Sequence, residues 1–177
     1  MNTNRIAVVV LVAFTAAAVA AYAQAPAKPA STSPTKPAAA SHPLHPAPMV
    51  NASDLKWGAA PPAFNPGAEM AVIDGDPTKA GPFVIRARFP AGFKVMPHHH
   101  PTDEHVTVIS GTLAAGMGDK WDDAAMKTFT AGAYARMPQN SPHYVQAKED
   151  TIVQVHGTGP FTLTYVNPTD DPRKKTP

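Results

Sequence analysis

The chain has 177 residues, 44% hydrophobic and 16% charged, with a formal net charge of +2. That length holds one ordinary domain. The charge is too small, and too free of basic blocks, to point to nucleic acid. The absence of Cys excludes a disulfide scaffold, a Cys-ligated zinc site and a thiol nucleophile. Proline, at 21 residues, exceeds the usual share of a folded domain, so part of the chain reads as linker.

The N-terminus has the pattern of an export signal. Arg5 is followed by an apolar and small-residue run, Ile6 to Ala21, and Ala21-Tyr22-Ala23 forms an A-x-A cleavage site. Residues 1–23 are expected to be a signal peptide, with the mature protein periplasmic or secreted by a bacterium. No twin-Arg pair or lipidation Cys is present, and a chain without Cys folds in an oxidising compartment without wrong bridges. Residues 24–51 are nearly all Ala, Pro, Ser, Thr and Lys. Such a segment cannot bury enough apolar area to offset its ordering entropy, and it reads as an extended tether. His42 and His45 within it read as solvated.

From Ala52 the texture changes. Short β-rich runs, punctuated by Gly, Pro, Asp and Asn, are expected as strands: Glu69–Asp74, Phe83–Phe89, His105–Ser110, Leu113–Met117, Ala133–Met137, His143–Ala147, Thr151–His156 and Phe161–Val166. Only Asp122–Thr130 looks mildly helical, and even that could be strand. This spacing predicts an antiparallel sandwich or barrel over residues 52–168. Residues 169–177 form a polar tail, and its charged run from Asp170 to Lys175 reads as solvated and frayed.

Histidine is concentrated in one stretch, Pro97-His98-His99-His100-Pro101-Thr102-Asp103-Glu104-His105. Alternate residues of a strand share a face, so His98 and His100 point together and His99 points away. A turn through Pro101 to Asp103 can bring Glu104 back beside the two imidazoles. His143, at the start of a distant strand, is a fourth candidate. Three neutral imidazoles and one carboxylate suit a divalent transition metal. His105 should face away with His99. His156 shares a face with Gln154 and reads as a surface or core residue. Arg86, Arg88, Tyr134 and Arg136 read as outer-face residues, and Trp57 and Trp121 as core or edge packing.

These residues carry a resemblance. Gly92 to Gly111 reads G-x5-H-x-H-x3-E-x6-G, and Gly132 to His143 reads G-x5-P-x-N-x2-H. Both resemble the motifs of the cupin superfamily, specifically a small single-domain secreted cupin. Asn140 stands where the motif usually has Gly, and Ala147 where it often has Asn. Asn tolerates a left-handed turn almost as Gly does, and the second departure lies outside the ligand set.

The resemblance implies an all-β fold, a double-stranded β-helix or jelly-roll cupin barrel. It implies that His98, His100, Glu104 and His143 ligate one divalent metal ion (Fe, Mn, Ni, Cu or Zn). It also implies a homodimer, with Leu55 and Trp57 docking on the partner. A cupin barrel does not fix a function. The expected partner is a small-molecule ligand or substrate, with no nucleic acid and no membrane once the signal is removed. The leading expectation is a small metalloenzyme, of dioxygenase, isomerase or lyase type, acting on a small oxygen-rich molecule. The alternatives are a non-catalytic binding or sensing module, and a structural metal site in an oligomerising barrel. The residues assign no catalytic group beyond the metal ligands.

Overall fold

Apolar and polar residues alternate along most runs after residue 68, and this period of two sets the strands and the face each buries. The computed structural model describes residues 48–174. The expected signal peptide, most of the tether with His42 and His45, and the last three residues of the tail lie outside the described residues. Eleven strands are present among them: β1 Gly58–Ala59, β2 Glu69–Asp74, β3 Gly81–Phe89, β4 Lys94–His99, β5 Glu104–Ser110, β6 Thr112–Met117, β7 Lys127–Thr130, β8 Tyr134–Met137, β9 His143–Ala147, β10 Thr151–Gly159 and β11 Thr164–Tyr165. The described residues include short 3-10 turns and no α-helix.

The strands form two antiparallel sheets. One has the order β1-β2-β3-β10-β5-β8, the other β11-β4-β9-β6-β7. Phe83, Ile85, Ala87 and Phe89 of β3, Val106 and Val108 of β5, and Val153 and Val155 of β10 turn to one face and form the core with Leu113 and Ala147. Each large aliphatic or aromatic side chain so buried stabilises the fold by about 1.5–3 kcal/mol. Arg86, Arg88, Gln154 and His156 take the opposite face, as the alternation requires. The all-β jelly-roll architecture read from the sequence is the architecture observed.

Two turn positions show why the motif residues stand where they do. Gly111, between β5 and β6, has φ 77°, and a side chain there would lie 2.8 Å from the Cα of Thr151. Asn140 has φ 56°, the left-handed turn the motif's usual Gly would supply.

Two expectations are corrected, and the alternative left open at Asp122–Thr130 resolves mainly to strand. The segment Asp122–Thr130 is not helical beyond one 3-10 turn, Asp123–Ala125. Its second half is β7, which pairs with β6 through Thr112↔Thr130 and Leu113↔Phe129. The run Phe161–Val166 is strand only at Thr164–Tyr165. Asp171 is not solvated. It is 5% exposed, and Arg173 Nε and Nη2 donate to its two carboxylate oxygens at 2.7 and 2.8 Å. Arg173 Nη2 also donates to the Leu163 carbonyl at 3.1 Å, so this turn is hooked onto the barrel.

Candidate metal centre

The centre spans the two sheets. His98 on β4 and His143 on β9 are direct cross-strand partners in the five-stranded sheet. Glu104 opens β5 in the six-stranded sheet, opposite Gly157 of β10. His100 follows the end of β4 and is 4% exposed. The strand leading to it is not regular. The β4–β9 register shifts between Val95 and His98, with Pro97 in the shifted stretch. A bulge adds one residue and reverses side-chain parity, so Val95 and His98 both line the interior. Proline suits such a site because it has no N–H to offer the ladder.

Each of the three inward imidazoles is held from behind by a backbone carbonyl. His98 Nδ1 donates to Met96 O at 2.8 Å, His100 Nδ1 to Thr162 O at 2.8 Å, and His143 Nδ1 to Ser141 O at 3.1 Å. A carbonyl only accepts, so the proton of each neutral ring is on Nδ1 and Nε2 carries a lone pair. One ligand atom from each ring lies within 4.8 Å of the others. His100 Nε2 and His143 Nε2 are buried with no hydrogen-bond partner among the described residues. Glu104 Oε2 stands 3.1 Å from His143 Nε2 and 3.7 Å from His100 Nε2. Lone pairs therefore face one another across the centre, an arrangement that calls for a cation. The donor set of three imidazole nitrogens and one carboxylate fits a divalent transition ion.

Burial sets the protonation of the centre. Desolvation pushes His98 well below its ordinary value, and the neighbouring His143 and His100 push the same way. Desolvation also lowers His100, against the pull of Glu104. Burial alone would raise Glu104, but the imidazoles, His143 first, outweigh it and hold its carboxyl down at about 2.

The centre opens on a cavity of about 260 Å³. Its wall is hydrocarbon, including Phe64, Ile85, Val95, Val155, Phe161 and Leu163. Phe161 stacks on the His100 ring, with centroids 4.0 Å apart and planes 13° apart. Sequence reading missed this residue, the three carbonyls behind the rings, and Arg173 at the cavity rim. Phe161 sits in a run that reads only as strand, and no sequence motif marks a carbonyl.

The other candidate residues stand outside the centre. His99 points away from it and is half-buried, and its Nδ1 is shut from solvent with no partner among the described residues. It is therefore not the solvated residue that alternation suggests. His105 lies on the outer face of the six-stranded sheet, stacked on His156 at 4.9 Å and bonded through Nδ1 to Tyr134 Oη at 2.6 Å. Arg86 donates to Gln154, Arg88 pairs with Glu69 at 2.7 Å, and Arg136 pairs with Asp103 at 3.0 Å. Trp57 packs beneath the Arg88 guanidinium at 4.2 Å, on its own sheet. Trp121 packs on Tyr144 and beneath Lys94.

Two packed antiparallel sheets with histidines converging between them make the jelly-roll fold that cupins share, and solved structures agree on the fold. The fold is similar to polyketide cyclase RemF from Streptomyces resistomycificus (TM-score 0.59, 14% identity, covering 70% of this chain and 88% of that one). It is similar to a proposed acetylacetone dioxygenase from Methylibium petroleiphilum PM1 (TM-score 0.54, 21% identity, 70% and 83% covered). It is also similar to a sugar phosphate isomerase of the cupin superfamily from Silicibacter pomeroyi DSS-3 (TM-score 0.50, 20% identity, 67% and 81% covered). At these identities the likeness concerns the fold. Residues 9–164 match the family described as a domain of unknown function, DUF4437, and the chain belongs to that family. No curated protein matches it.

Proposed function

We propose that this protein is an exported cupin metalloenzyme in which His98, His100, Glu104 and His143 hold one divalent transition metal ion. The observation that carries the reading is the set of three imidazoles locked through Nδ1 to backbone carbonyls, with the Nε2 atoms of His143 and His100 turned toward Glu104. When bound, the metal supplies Lewis-acid activation of a small molecule at coordination positions the protein leaves open. Dioxygenase, isomerase or lyase chemistry on a small oxygen-bearing molecule is the class this supports.

The chain's own residues do the rest. The Met96, Thr162 and Ser141 carbonyls fix the tautomer and orientation of the three rings. Phe161 holds the plane of His100 by stacking. Glu104 brings one negative charge into an otherwise apolar space. The hydrocarbon wall excludes water, which strengthens every electrostatic interaction inside.

A second reading, binding without turnover, draws support from the cavity lining. Among the described residues it carries no titratable side chain besides the four of the centre and Arg173, and Arg173 is tied to Asp171. No separate proton-transfer group is thus at hand. Elemental analysis followed by dioxygen-uptake assays over diols, diketones and phenolics separates the two. Uptake with turnover supports the enzyme, and tight binding without turnover supports the binding module.

Export rests on the Arg5, Ile6–Ala21 and Ala21-Tyr22-Ala23 pattern. A homodimer rests on the resemblance and on edge strands, β7 and β8 among them, that need cover. Leu55 and Trp57 are the residues proposed to dock on the partner, with Trp57 also packing beneath Arg88 of its own chain. Light scattering that gives a monomer at micromolar concentration removes the dimer.

A further inference from the structure

The cavity is chemically lopsided. At one place on its lining sit His98, His100, Glu104 and His143. Among the described residues, the only other polar side chains there are Thr78, Thr162 and Arg173, and all three are exposed. Elsewhere the lining is hydrocarbon from both sheets, contributed by residues such as Val155 (6% exposed) and Val95 (2%). Among the described residues, Arg173 is the one cation with a fixed charge on this lining. Its Nε and Nη2 are committed to both oxygens of Asp171 and to the Leu163 carbonyl.

Two physical consequences follow. A ligand hydroxyl placed against this wall loses water and gains no partner, and an unpaired buried polar group is costly. A phosphate would bring two charges into a space whose Arg is already neutralised, whereas buried phosphates need uncommitted cationic donors. The centre itself has a different demand. A divalent ion with Glu104 and three neutral imidazoles leaves one net positive charge in a low-dielectric space, which one anionic donor cancels. At about 260 Å³ the space is below the usual range for drug-sized ligands.

Resting on the metal site proposed above, we infer that the ligand of this cavity is a compact monoanion with its oxygen donors at one end and a hydrocarbon body. An enolised dicarbonyl, a hydroxyketone or a phenolate has this form. Oxygen is confined to the metal-facing end, so the molecule is not oxygen-rich throughout. Sugars and sugar phosphates are excluded, despite the shared fold with a sugar phosphate isomerase.

The test uses zinc-loaded full-length protein, so that no redox turnover intervenes, and two probes with one chelating head. Allomaltol and kojic acid both bind metal through a hydroxypyranone. Kojic acid carries a hydroxymethyl group where allomaltol has a methyl group. Zinc content is measured first, by elemental analysis after dialysis. Isothermal titration then gives each affinity relative to the same probe's affinity for free zinc. Allomaltol is expected to bind at least about tenfold tighter than kojic acid, the size of one unpaired hydroxyl. Val155→Thr, which keeps the side-chain shape and adds a hydroxyl, is expected to narrow the ratio. Phe161→Tyr serves as a second variant should the first fail to fold.

Protein that retains no zinc overturns the metal site and this inference with it. Protein that retains zinc but binds kojic acid as well as allomaltol overturns this inference alone. So does a ratio that stays unmoved in both variants.

Discussion

His98 and His143 face each other directly across β4 and β9, with ring centroids 4.2 Å apart. Two lone-pair-bearing imidazoles pack this closely only where something else stabilises the pair, and the Met96 and Ser141 carbonyls do so from behind. The pair forms half of the centre. His100 and Glu104 complete it from the turn after β4 and from the opposite sheet.

Burial makes the folded centre reluctant to take protons. His98 and His100 are held below the ordinary 6.5 by desolvation. The unfolded chain takes up those protons near 6.5, and the folded chain does not. Chelator-treated protein should therefore lose stability as pH falls below 6.5, with a slope of up to about 1.4 kcal/mol per pH unit per histidine. Glu104 adds a loss in the same direction at lower pH, between its ordinary 4.5 and about 2. Urea midpoints at pH 8, 6 and 5 check this, and a flat profile between pH 8 and 5 contradicts it.

Gly116 and Tyr144 are cross-strand partners on β6 and β9, and Tyr144 is 1% exposed. A side chain at Gly116 would lie on the Tyr144 ring. The ring cannot retreat, because Trp121 packs on it and its hydroxyl donates to Asp122 O at 3.1 Å. Gly116→Ala should destabilise by about 1–3 kcal/mol, as overpacking does. Thermal unfolding that leaves the midpoint unchanged would show that this region yields.

Asn140 occupies the left-handed region with φ 56°. Asn140→Gly should be neutral or slightly stabilising, whereas Asn140→Ala should cost about 1–2 kcal/mol. Denaturant titration of the two variants side by side reads the difference. Equal stabilities would mean that the turn relaxes.

Much of this was legible from spacing alone. The alternation in Phe83–Phe89 and Thr151–His156 gave both register and face, because one side of each strand is buried and a slip of one residue would expose the core. The centre was less legible. Pro97 and Pro101 bracket the histidines and mask β4, since proline reads as a turn or strand end. The bulge that brings Val95 and His98 to the same side changes parity without changing composition. Phe161 and the Asp171–Arg173 hook depend on contacts between distant segments, which no local pattern encodes.

The most direct measurement is elemental analysis of protein purified without a histidine tag, wild type beside His98→Ala and His99→Ala. The expected result is one divalent transition ion per wild-type chain, most of it lost in His98→Ala and nearly all of it kept in His99→Ala. His98 turns its Nε2 to the centre and His99 turns away. Wild-type protein without metal, or a His99→Ala variant that loses the ion while His98→Ala keeps it, would contradict the site.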